Sequence, residues 1–181
     1  MPIRNHLHAD SIPRMRSRRN LLALFLMTMA LPCAAATLHE GKPAPALEAK
    51  LLDGQSFSLA AQSGKVVVIN FWATWCAPCR AEMPALDAFY RKHRDEGLVV
   101  IAVSLDEPDK EAKVREVMKA FGFSAALGPQ SDFKGYMRIW RLPLTFVVDR
   151  AGILRKNDWY GDPGLDEALL ESTVSPLLRA R

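Results

Sequence analysis

Residues 66–84 read Val66-Val67-Val68-Ile69-Asn70-Phe71-Trp72-Ala73-Thr74-Trp75-Cys76-Ala77-Pro78-Cys79-Arg80-Ala81-Glu82-Met83-Pro84. The first seven are almost continuously apolar, the pattern of a strand buried on both faces of a sheet. A helix follows. Met83, Leu86, Tyr90 and His93 recur at steps of three and four, and Gly97 supplies the stop. A buried strand that hands over to a helix predicts an α/β domain. The handover carries a Cys-Ala-Pro-Cys motif.

The flanks extend this unit in both directions. Residues 98–105 predict a second buried strand. Residues 109–121 predict an amphipathic helix with Val114, Val117, Met118 and Phe121 on one stripe, closed by Gly122. Residues 131–140 predict a short helix, and 144–149 a third strand. The turn Asp149-Arg150-Ala151-Gly152 leads to a fourth strand, 153–159. A last helix is predicted to start near Asp162-Pro163, to carry Leu165, Leu169 and Val174, and to end or bend at Pro176. Upstream, residues 37–46 form an extended lead-in with Pro43 and Pro45. Residues 47–59 form a hairpin around Asp53-Gly54, and Ser63-Gly64-Lys65 a turn. This order predicts one α/β domain. It has a central mixed β-sheet flanked by helices and an N-terminal β-hairpin extension.

Charge is unevenly placed. Of the 24 basic and 20 acidic residues, five basic and one acidic fall within residues 1–36, which leaves 19 of each beyond them. A balanced body gives no reason to expect nucleic acid or an anionic membrane as partner. The first 36 residues read as a cleaved signal peptide. A basic stretch ends in Arg18-Arg19, an apolar run spans 21–31, and Ala34-Ala35-Ala36 offers the cleavage site. Residues 37–181 then form the working domain, in the periplasm. The alternative is an N-terminal membrane anchor, although a span takes about 20 apolar residues. Ser17-Arg18-Arg19-Asn20-Leu21-Leu22 resembles a twin-arginine export signal.

Cysteine usage sharpens the reading. Cys33 leaves with the leader, so the mature chain keeps only Cys76 and Cys79. A C-x-x-C can be a redox pair, half of a zinc site or a haem attachment site. Haem attachment wants His at position 80, where Arg80 stands, and zinc wants further ligands where only His39 and His93 remain. A redox pair is the strongest reading, and no metal or cofactor is expected. Cys76 falls at a helix N-terminus, which favours a thiolate that attacks a disulfide. Cys79, one turn on, resolves the mixed disulfide. With no His or Lys between the cysteines, the motif points to a reductant. Two other uses compete. One is a Cu(I) carrier with the same two sulfurs as ligands, with Met83 and Met137 expected in the core. The other is a peroxidase, suggested by residues 43–59, which needs Thr where Ala73 stands.

Residues 71–84 resemble the active-site segment of the TlpA/ResA-like branch of thiol-disulfide oxidoreductases in the thioredoxin superfamily. The resemblance covers most of residues 40–175. Pro84 lies eight after Cys76, Asn70 six before it, and Glu82 three after Cys79. Leu142-Pro143-Leu144-Thr145-Phe146 resembles the family's cis-proline loop, with Leu144 where Thr is frequent. The resemblance implies a thioredoxin-like fold and a cis Leu142-Pro143 bond facing the disulfide. It also implies a client surface built from Trp75, Ala77, Pro78 and Leu142. Asn70 cannot titrate, so Glu82 is the nearest proton acceptor for Cys79. Each residue has a plainer reading. Trp72 and Trp75 can be core aromatics, Glu82 a solvated first-turn carboxylate and Pro143 a trans loop proline. The implied partners are client proteins with disulfide or thiol pairs, such as apocytochrome c or a copper-receiving protein. A membrane thiol electron donor would resupply electrons. No nucleic acid and no small-molecule cofactor are implied.

Overall fold

The computed structural model describes residues 38–160 and 164–180. The expected leader, its cleavage site, Cys33 and the Asp162-Pro163 helix start lie outside the described residues. The elements run β1 (Glu48–Leu51), β2 (Ser56–Ser58), β3 (Val66–Trp72), α1 (Ala77–His93), β4 (Leu98–Ser104) and α2 (Glu111–Met118). They continue with β5 (Ser124–Asp132), β6 (Leu144–Val148), β7 (Leu154–Asn157), α3 (Glu167–Thr173) and α4 (Ser175–Arg179).

The strands form one sheet in the order β2-β1-β5-β4-β3-β6-β7. β3, β4 and β5 run parallel, and the remaining pairings are antiparallel. β3 lies where strand direction changes, between parallel β4 and antiparallel β6. All seven of its residues are buried, and they alternate between two cores. Val66, Val68 and Trp72 join Met83, Leu86 and Phe89 of α1. The buried apolar side chains of α2, α3 and α4 belong to that same cluster. Val67, Ile69 and Phe71 face the opposite core, which Tyr136, Phe146 and Phe57 help to fill. Each fully buried side chain of this size contributes about 1.5–3 kcal/mol.

The lead-in is held by partners far along the chain. Tyr136 Oη donates to Pro45 O at 3.0 Å, and Asn157 Nδ2 donates to Leu38 O at 2.9 Å. Gly41 N donates to Leu154 O at 2.8 Å. Contact here is tight: a Cβ placed on Gly135 would clash with the Pro45 ring.

Two expectations need correction, and one strand lies beyond them. Residues 124–132 form strand β5, for which the sequence carries no strand signal. Its residues include Gly128 and Pro129, and its core contribution is only Ala125, Ala126 and Leu127. Such a strand lacks the β-branched and aromatic content that marks others. Residues 131–140 are not a helix. They hold the end of β5 and a single 3-10 turn, Lys134–Tyr136. Met137 is exposed rather than core, with φ of 69°. The last helix breaks at Pro176 as expected: it divides into α3 and α4 just before that residue, and Asp166 caps α3 by accepting from Leu169 N at 2.7 Å.

Candidate active site

The end of β3 hands the chain to α1 through Ala73, Thr74 and Trp75. An acid from the neighbouring strand end fixes this short loop. Asp106 Oδ2 accepts from Thr74 N at 2.8 Å and from Ser104 Oγ at 2.6 Å, while Oδ1 accepts from Thr74 Oγ1 at 2.6 Å. Burial pushes the Asp106 carboxyl up, but the Ser104 and Thr74 donors outweigh it and hold it below the usual range.

Cys76 is then the N-cap of α1. It keeps an extended backbone, φ −83° and ψ 100°, and its sulfur accepts from Cys79 N at 3.3 Å. Pro78 sits in the first turn, where its missing N–H removes no helical bond. Cys76 and Cys79 are joined as a disulfide. Cys79 is wholly buried and Cys76 is 5% exposed. Trp75, by contrast, is 68% exposed beside them, so it is not a core aromatic. Trp72 is one. Ala77 and Pro78 are also exposed.

The register of β6 brings in the second loop. Phe71 pairs with Leu144 and Asn70 with Thr145, so Pro143 lies next to the end of β3. The Leu142-Pro143 bond is cis. Pro143 is buried, and Leu142 is half-buried against both cores. Pro143, Pro78 and Glu82 line one open groove of about 670 Å³ with Lys156 and Leu165.

Glu82 lies inside rather than on the surface, at 8% exposure. Its Oε1 accepts from Asn70 Nδ2 at 3.0 Å and its Oε2 from Leu165 N at 3.2 Å. Asn70 Nδ2 also donates to Thr145 Oγ1 at 3.1 Å. Burial raises the Glu82 carboxyl from 4.5 to about 7. The bonds from Asn70 and Leu165 oppose that rise, and the nearby Asp158 charge adds to it. A carboxyl poised there can both accept and return a proton near neutral pH.

The structure brings Cys76, Cys79, Glu82, Pro78 and Pro143 together. It adds Asp106, Asp158, Lys156 and the Leu165 N–H, which the sequence reading did not single out. Asp106 carried a faint signal, an acid directly after a buried strand. The others carried none. Among the described residues no three His, Cys, Asp or Glu side chains converge as a metal site. His93 packs on Phe89 with ring centroids 4.4 Å apart.

The model of the AhpC/TSA family matches residues 41–157. The chain is similar to the thioredoxin-like protein YneN of Bacillus subtilis, with 33% identity over 124 residues that span 65% of this chain and 70% of that one. It is 29% identical over 151 residues to the thiol-disulfide oxidoreductase ResA of Bacillus thuringiensis, covering 76% of this chain and 86% of that one. A crystal structure of a thiol:disulfide interchange protein of the thioredoxin family from Chlorobium tepidum matches with a TM-score of 0.64 at 26% identity. That match covers 79% of this chain and 97% of the other.

Proposed function

The chain belongs to the AhpC/TSA family and is a thiol-disulfide oxidoreductase of thioredoxin-like fold, and from that premise we propose that it reduces protein disulfides outside the cytoplasm. In this reading residues 1–36 are removed on export and residues 37–181 remain as the working domain. The observation that carries it is the asymmetry of the pair. Cys76 keeps 5% of its surface exposed at the start of α1, while Cys79 is wholly buried, one turn before a buried Glu82.

The reaction begins from the dithiol. The Cys79 N–H and the positive end of α1 favour negative charge on the Cys76 sulfur. That thiolate attacks one sulfur of a client disulfide. A Cys76–client bond forms, and the other client sulfur leaves and takes a proton. Glu82 accepts the Cys79 proton, and Cys79 attacks the Cys76 sulfur. The second client thiol departs. Two electrons have passed to the client, and the protein is left with the Cys76–Cys79 disulfide. A membrane dithiol donor would restore it. Trp75, Ala77, Pro78 and Leu142 would contact the client, with Pro143 shaping the floor. Cytochrome c maturation and copper-site assembly supply suitable clients.

The purified protein should reduce a model protein disulfide, and Cys76→Ser should show no turnover. Redox titration against dithiothreitol should give a strongly reducing potential. A value near those of disulfide-forming oxidants, about −120 mV, would overturn the reductase reading. Peroxide turnover would favour the peroxidase reading, which has only the buried Ala73 where it needs a hydroxyl.

A further inference from the structure

A continuous polar chain runs behind Pro143 to the cysteine helix. Lys156 Nζ lies 2.5 Å from Asp158 Oδ1. Asp158 Oδ2 accepts from Thr145 N at 2.9 Å. Thr145 Oγ1 accepts from Asn70 Nδ2, which also donates to Glu82 Oε1. The ion pair is largely out of water, with side chains 16% exposed at Lys156 and 3% at Asp158. Burying such a pair is seldom a gain in stability over neutral packing. The Thr145 N–H needs only an acceptor, which an asparagine would supply. The charges therefore ask for another reason, and a carboxyl stands at the far end of the chain.

We propose that Lys156 is a positioning residue for Glu82 that acts through Asp158. By neutralising the Asp158 carboxylate, Lys156 limits the negative charge beside Glu82 and so sets how readily Glu82 takes and returns the Cys79 proton. This rests on Glu82 being the proton acceptor of the resolving step.

Among the described residues the groups that face Glu82 are few. Asn70 from β3 and Thr145 from β6 are uncharged, as is the Leu165 N–H. Asp158 follows β7, and Lys156 and Asp166 share the groove with Glu82. Cys79 lies one turn away on α1. Asp158 in turn meets Lys156 and Arg141, whose guanidinium donates to the Asp158 main-chain oxygen. Burial raises the Asp158 carboxyl, and the ammonium of Lys156 opposes that rise. The negative charge of Asp158 raises Glu82.

Opposite substitutions should then move Glu82 in opposite directions. The readout is the pH midpoint of the Glu82 side-chain carboxyl carbon, followed by NMR in the full-length oxidised protein, so no turnover is needed. Lys156→Met should raise that midpoint by about one pH unit, the scale of a nearby charge. Asp158→Asn, which keeps an acceptor for Thr145, should lower it. Lys156→Arg should restore the original midpoint. In the Asp158→Asn background, Lys156→Met should have a much smaller effect. If Lys156→Met unfolds the protein, Lys156→Gln serves in its place. A midpoint that stays put in these variants, or that falls with Lys156→Met, overturns the proposal. If the midpoint moves as stated but the pH profile of client reduction does not follow, the coupling stands and the acid–base role of Glu82 fails.

Discussion

Asn70 Nδ2 lies 3.0 Å from Glu82 Oε1, and both residues are buried. The donor comes from β3, between β4 and β6 in the sheet, and the carboxyl from the first turns of α1. A neutral amide on β3 leaves the helix as the source of the titratable group. The position of Glu82 one turn after Cys79 then decides which sulfur it can serve.

Glu82 should leave a signature in stability. Its folded value, about 7, lies above its usual 4.5. The folded state therefore holds this proton more tightly than the unfolded chain. That stabilisation is fully present below pH 4.5 and is lost as pH rises through about 7. Glu82→Gln removes the loss, so it should be more favourable at pH 8 than at pH 4.5 by roughly 1–3 kcal/mol. Urea melts of both proteins at the two pH values give the comparison. An equal effect at both would remove Glu82 as the titrating group. The same variant should reduce protein disulfides about a hundredfold more slowly.

The two cysteines should behave differently when mutated singly. Cys79→Ser should accumulate a mixed disulfide with client through Cys76, visible as a mass adduct. Cys76→Ser should accumulate none, because the remaining sulfur is wholly buried. Equal trapping by both variants would mean that the pair opens further than its packing suggests.

Asp106 should matter for the shape of the site rather than its chemistry. Asp106→Ala strips the acceptor from Thr74 N, Thr74 Oγ1 and Ser104 Oγ, all buried. The expected loss is about 2–4 kcal/mol of stability. The carboxylate's stabilisation is present above its usual value of 3.8 and disappears as pH falls through its lower folded value. Asp106→Asn should therefore flatten the acid limb of a stability-against-pH curve. An unchanged limb would show that other carboxylates carry it.

Trp75 offers a surface test. With 68% of its area exposed, Trp75→Ala should alter stability by no more than about 0.5 kcal/mol. It should lower kcat/KM for a folded protein client by about tenfold and leave a small-molecule disulfide untouched. Equal losses for both substrates would place Trp75 in shaping the cysteines instead.

The legible parts of this molecule are those whose signals are local. β3 announces itself by six apolar residues in seven, and α1 by its spacing and by Gly97 at its end. Cys76, Cys79 and Glu82 fall within seven residues, so one helix suffices to assemble them. The cis loop at Pro143 was legible only through resemblance to a family. β5 was hidden because alanines, Gly128 and Pro129 fill a strand whose place is fixed by its neighbours β1 and β4. Lys156 and Asp158 were hidden for a related reason. They look like ordinary charges on a short edge strand until the register of β6 sets Thr145 against Asn70.

The tethered lead-in has a consequence for how the chain is assembled. Pro45 finds Tyr136 across 91 positions, and Leu38 finds Asn157 across 119. Closing loops of that length costs entropy before any contact rewards it. The segment nearest the start of the domain is therefore expected to dock last, after β6 and β7 have formed a surface to receive it. A shortened version that starts at Pro45 or later would leave the outer strand with unmet hydrogen bonds along one side. Residue 38 is accordingly the latest sensible starting point for an expressed domain.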